Sequence, residues 1–158
     1  MNPYNRSEAP RSATGAPTAT APVLEKKWIT TGITTEAIRF AEEFGKYLAG
    51  DPRDSRAPKL TTSQILNFFG EVRRIQMQPM AQDRSRTDFL LLQPKLAYAA
   101  ARAKNEGATS FRREMQKALE AVDINAAGDS EQAIEKRFRN FCDLLEAILA
   151  YHKANGGE

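Results

Sequence analysis

Apolar side chains return every three or four positions through most of this chain, and nowhere do they alternate with polar ones over a strand's length, so the pattern predicts helices throughout. A first helix is expected over about Thr35 to Leu48, where Ile38, Ala41, Phe44 (or Gly45) and Leu48 share a face before Gly50-Asp51-Pro52 breaks it. The second, over 62–78, has the clearest start. Thr61 as N-cap and Gln64 three residues later form a capping box, flanked by Leu60 and Ile65 as a hydrophobic staple. Its stripe runs Ile65, Phe68, Phe69, Val72 and Ile75, which turns Arg74 nearly opposite and leaves Arg73 on the flank.

Pro79 closes that helix, and Met80 to Thr87 reads as a mobile loop carrying Arg84 and Arg86. From Asp88 the helical pattern resumes. Pro94 lacks the N–H that the preceding turn needs, so it must start a new helix or kink a continuous one, and two pieces are expected to meet there. Leu96, Ala99, Ala100 and Ala103 then form a face of small side chains suited to close helix packing, with Lys95, Tyr98 and Arg102 as the opposite stripe. A fourth helix spans about Ser110 to Ala121 on Phe111, Met115, Ala118 and Leu119. After a turn at Asn125 to Gly128, the longest helix begins beyond Asp129 and runs to about Asn155, with Ile134, Phe138, Phe141, Leu145, Ile148 and Tyr151 inward and Gly156-Gly157 ending it.

Residues 1 to about 22 hold four prolines among Ala, Thr and Ser and bury too little to repay ordering, so they read as a disordered tail. From Val23 to Thr34, Leu24, Trp28, Ile29 and Ile33 are expected either to pack loosely on the body or to await a partner. The predicted architecture is all-α: a compact bundle of about five helices, with 1–33 as a disordered or loosely packed tail and 34–157 as the helical domain.

At 158 residues there is room for one domain, and a net charge of +3 discriminates little. The distribution says more. Residues 52–104 carry ten cationic against four acidic side chains, whereas 107–158 carry seven against nine, so one basic region faces a near-neutral or acidic one. A polyanion would dock on the first. Cys142, the sole cysteine, sits among Phe138, Phe141 and Leu145 as a buried thiol, which with the lack of an apolar span or signal-peptide run fits a soluble cytoplasmic protein.

Catalytic chemistry is thinly supplied. His152 is the only imidazole, and ten helical residues set it about 15 Å from Cys142, too far for a dyad. It reads as a helix-end cation favoured by the dipole. Zinc would need further ligands, no phosphate loop is present, and no metal or other cofactor is implied. Glu135 with Arg139, and Arg139 with Asp143, are i,i+4 pairs on a solvated face. A metal-dependent hydrolase or nuclease would require clustered carboxylates, which the pattern lacks.

RNA binding asks instead for cations placed to meet successive phosphates, with a flat side chain for stacking. Lys95 and Arg102, two turns apart with Tyr98 between them, supply this on one helix; Arg73 and Arg74 add charge from another, Lys59 precedes its start, and Arg84 and Arg86 lie in the loop. The competing reading has these cations merely solvating their helices and Tyr98 capping the core's edge. The cluster at 136–139 ranks lowest because Glu131, Glu135, Asp143 and Glu146 neutralise it.

Three segments also carry a family pattern. Lys59-Leu-Thr-Thr-Ser-Gln-Ile65 followed by Phe68 to Ile75, then Leu91 to Arg102, then Phe141 to Gly157 resemble, in that order, the motifs of the Csm small subunit of type III-A CRISPR effector complexes. The resemblance covers about residues 34–157. It implies a non-catalytic helical subunit that stacks with copies of itself beside the other subunits and holds crRNA and target RNA by shape and phosphate, cutting being done elsewhere. Carried over by position, it marks Lys59, Arg73, Arg74, Lys95, Arg102 and Lys153 as RNA-binding. The chain departs from the pattern at Gln93, where the family carries lysine. The rival expectation is a helical adaptor that homo-oligomerises without touching RNA.

Overall fold

The computed structural model describes residues 20–126 and 128–158, and the tail expected over 1–22 lies almost wholly outside them. Among the described residues there are six helices and no strand: α1 (Lys27–Thr30), α2 (Thr35–Ala49), α3 (Thr62–Gln76), α4 (Asp83–Ala103), α5 (Glu106–Val122) and α6 (Glu131–Ala154). Five are long, as the periodicity predicts. Their starts follow from capping chemistry: Thr34, Asn105 and Ser130 each accept a hydrogen bond from the backbone N–H three residues on, and the Thr61–Gln64 capping box is fully formed.

Helix α6 is the central element, packed along α2 and flanked by α3 and α5. The α2–α6 crossing is tight because of Gly45. A Cβ placed there would lie 2.7 Å from both the His152 backbone nitrogen and the Tyr151 Cβ, so only glycine lets the two backbones approach. Around this crossing Phe40, Phe44, Phe141, Leu145 and Ile148 are buried, and Phe68 meets Phe111 and Phe141 edge-on at centroid distances of 5.7 and 6.5 Å. Ile38, expected inward, is 38% exposed, since Ala37 and Ala41 occupy the contact side of α2.

The segment before α2 is more firmly seated than its composition suggests. Leu24, Trp28 and Ile29 are buried against α5 and α6, and the Leu24 N–H donates to the fully buried carboxylate of Glu114 at 2.9 Å. Arg113 and Lys117 flank that carboxylate at 3.0 and 2.7 Å. Asn140 adds a bond from its amide to the Ile29 carbonyl.

Two expectations about the middle of the chain need correction. Arg84 and Arg86 are not in a mobile loop, because α4 already begins at Asp83, whose charge suits a helix N-terminus. The helical signal there is muted: the buried face opens with Ser85 and Asp88 rather than with apolar residues. Nor does α4 break at Pro94. It continues as one helix of 21 residues, about 30 Å long, with Pro94 on its exposed side, where water can meet the Leu90 carbonyl left without its donor.

Candidate nucleic-acid interface

At the C-terminal end of α4 the backbone turns sharply into α5. Lys104 takes the left-handed conformation at φ 51°, and Asn105 caps the new helix. The Lys59 backbone packs on that corner, within 3.0 Å of where a Gly107 Cβ would stand, so the segment leading into α3 joins α4 and α5 there. Between the three helices lies a groove of about 570 Å³. The alanine face assigned to close helix packing is what creates it: Ala99, Ala100 and Ala103 are too short to fill the space, and none of the three is fully buried.

Leu60, Phe68, Leu96 and Phe111 form an apolar floor, and Lys95, Tyr98 and Arg102 stand on the rim. Tyr98 is 66% exposed, with the Arg102 guanidinium 5.7 Å from its ring centroid. Arg112 of α5 completes the rim from the far side and has no ion pair among the described residues. Sequence reasoning passed it over because it belongs to the near-neutral half; the one available signal was its place beside the core residue Phe111, just past the α4–α5 corner.

Ion pairs engage part of the cationic set. Glu71 accepts from Lys95 at 2.7 Å and from Arg74 at 3.0 Å, while Asp88 meets Arg74 at 3.2 Å and Arg84 at 3.0 Å. Hydrogen bonds from Lys95 and then Arg74 hold the Glu71 carboxyl below its usual range, and Glu71 in turn raises Arg74. The network pairs three cations with two carboxylates and so remains net positive. Its members differ in freedom. Asp88 is only 4% exposed and requires its arginines, whereas Arg84 is 72% exposed. The Lys95–Glu71 pair, half exposed, contributes at most about 1 kcal/mol and yields readily to a competing phosphate.

The structure does not bring the remaining candidates to the groove. Arg73 diverges from Arg74 by about 100° around α3, bonds Gln76 at 2.7 Å and lies 5.8 Å from the Phe69 centroid. Arg86 is half-buried in the first turns of α4, and Lys153 is exposed near the end of α6; neither lines the groove. Of the basic cluster in α6, Arg137 is structural: it bonds the Val122 and Asp123 carbonyls at the end of α5 and pairs with Asp129. The expected Glu135–Arg139 and Arg139–Asp143 pairs are not among the ion pairs of the described residues.

His152 is not a helix-end cation. It is fully buried, its Nε2 lies 2.6 Å from the Leu60 carbonyl, and burial lowers its pKa below the ordinary 6.5, so the ring is neutral near pH 7 and donates to that carbonyl. Cys142 is sealed in the core with its thiol pushed up to about 12. No helix among the described residues is long and apolar enough to cross a membrane, and none of their His, Cys, Asp and Glu side chains group in a way that could hold a metal ion.

These features define a small all-helical domain with a cation-rimmed groove on one side and its only imidazole and thiol committed to packing. The chain belongs to the Csm2 family of type III-A CRISPR systems, whose family model matches residues 34–158, and so is a subunit of the type III-A effector complex. Neither the curated proteins nor the solved structures gave a match.

Proposed function

We propose that the chain is a non-catalytic, cytoplasmic subunit that holds crRNA and target RNA by their backbones within the type III-A ribonucleoprotein. The observation that carries this is the convergence of Lys95 and Arg102 from α4 and Arg112 from α5 on one groove, with Tyr98 between the two α4 cations. Cations on rigid helices bind a polyanion by releasing its counterions, without reading sequence. A non-catalytic role agrees with the structural use of His152 and Cys142, the residues best suited to acid–base and nucleophilic work. The test is a mobility shift of the full chain on mixed-sequence RNA at several salt concentrations. Affinity should fall steeply and linearly in log–log form; failure to bind at low salt, or binding indifferent to salt, overturns the reading.

A specific observation also favours the assembly part of the role. On its outward side α4 carries Leu90, Leu91 at 41% exposure, Pro94 and Tyr98, an apolar strip flanked by Arg84, Lys95 and Arg102 on one edge. Such a strip suits self-association or contact with another effector subunit. The adaptor reading, in which protein contact is the whole function, is separated from ours by the same mobility shift.

A further inference from the structure

The groove contains more than phosphate binding needs. Backbone contacts require only cations on a surface, as the outer α3–α4 network already provides, yet here a cavity of about 570 Å³ with an apolar floor lies inside the cationic rim. That volume falls within the range typical of small-molecule sites, roughly 300–1,000 Å³. An occupant matching floor and rim together has a flat, largely apolar part joined to an anionic one. Resting on the RNA-binding reading, we infer that the groove takes an unpaired nucleobase of single-stranded RNA, stacked on Tyr98, with its flanking phosphates on Lys95, Arg102 and Arg112.

The geometry favours a single strand over a duplex. In a duplex each base face is covered by its neighbours and the outer surface is convex, so neither reaches a concave floor formed by Leu60, Phe68, Leu96 and Phe111. Tyr98 is presented for stacking: it stands at the mouth, two-thirds exposed, and Arg102 is its only ring partner among the described residues, leaving ring surface open. Polar groups suited to a base edge are at hand. Asn67 lines the groove without a side-chain hydrogen bond among the described residues, and Gln64 uses its amide oxygen on the Thr61 N–H while its NH₂ donors remain. Two amides beside an aromatic platform give mild preference among bases rather than a strict code.

The experiment uses the full chain at low salt with an eight-nucleotide single-stranded RNA carrying one central 2-aminopurine, and a duplex of the same length as comparison. Stacking should quench the 2-aminopurine on binding, and the single strand should bind more tightly than the duplex. Tyr98→Ala should abolish the quench and weaken binding roughly five- to hundred-fold, and Tyr98→Phe should retain both. Ala99→Leu, at an exposed position that fills the groove without altering charge, should also remove the quench. Circular dichroism of each variant checks its fold. If single strand and duplex bind alike, without quenching, and Tyr98→Ala is neutral, the base site is wrong while the backbone-binding reading stands. If the unaltered chain binds neither RNA, both fall.

Discussion

His152 and Leu60, 92 positions apart, are joined by a buried hydrogen bond of 2.6 Å from the imidazole Nε2 to the backbone carbonyl, which ties the last turn of α6 to the entry of α3. Gly157 lies over the ring, where a Cβ would collide with it, and its carbonyl then accepts from the Thr62 hydroxyl. Because Leu60 also belongs to the groove floor, this contact fixes one wall of the candidate site.

It follows that the protein loses stability in mild acid. The folded state holds His152 with a lowered pKa, so the unfolded chain binds the proton more readily; the neutral ring's contribution is complete above the ordinary value of 6.5 and declines as pH falls below it. Among the described residues Nδ1 has no partner to receive a second N–H. Thermal unfolding followed between pH 7.5 and 5 should show the decline, and His152→Phe should flatten it. An unchanged pH profile in that variant would assign the effect to other groups.

Gly45 provides the second prediction. Gly45→Val should destabilise the domain by about 2–3 kcal/mol, since its side chain must push α2 away from the His152 and Ile148 backbone. Gly70, with nothing within 4 Å of an added Cβ, is the control: Gly70→Ala should be neutral or slightly stabilising, because alanine is the better helix former. Urea midpoints for the two variants test the contrast.

Cations on the groove should separate from cations that serve the fold. Arg102→Glu with Arg112→Glu should lower RNA affinity by at least tenfold and reduce the salt dependence, with melting unchanged. Arg74→Ala should instead lower the melting temperature, because it withdraws one of the two partners of buried Asp88. Loss of RNA binding in the Arg74 variant alone would move the interface to the α3–α4 network.

The outward strip of α4 should govern association. Leu91→Asp places a charge beside Leu90 and Pro94 without touching the core, and should shift any concentration-dependent sedimentation toward the monomer while leaving the helical signal intact. Sedimentation velocity over a hundredfold concentration range reads this directly; identical profiles for both proteins would dismiss the strip as an interface.

Much of this architecture is legible from local rules. The Thr61–Gln64 box and the stripe from Ile65 to Ile75 define α3 because cap and periodicity agree. Legibility fails where tertiary context overrides a local rule. Ser85 and Asp88 open α4 with polar groups that are buried only because Gln78 and two arginines meet them. Pro94 is tolerated because it faces water. The Lys95, Tyr98 and Arg102 set was visible from spacing, but the groove beside it was not, since a row of alanines predicts close packing and cavity equally well until the neighbouring helices are placed. Arg112, marked in the sequence only by its place beside Phe111, joined the site through that placement, and the burial of Glu114 came from the seating of Leu24 against α5.

The bond from the Leu24 N–H to Glu114 bears on how the protein is cut for study. The family's pattern begins at residue 34, yet the body's interior includes Trp28 and Ile29, and the Leu24 N–H joins Arg113 and Lys117 around a carboxylate sealed from water. A fragment trimmed to the recognisable portion would lose part of its own hydrophobic centre and leave the Glu114 carboxylate to Arg113 and Lys117 alone, uncovered on the side that Leu24 closes. The packed interior extends about ten residues further upstream than the segment that the family model outlines.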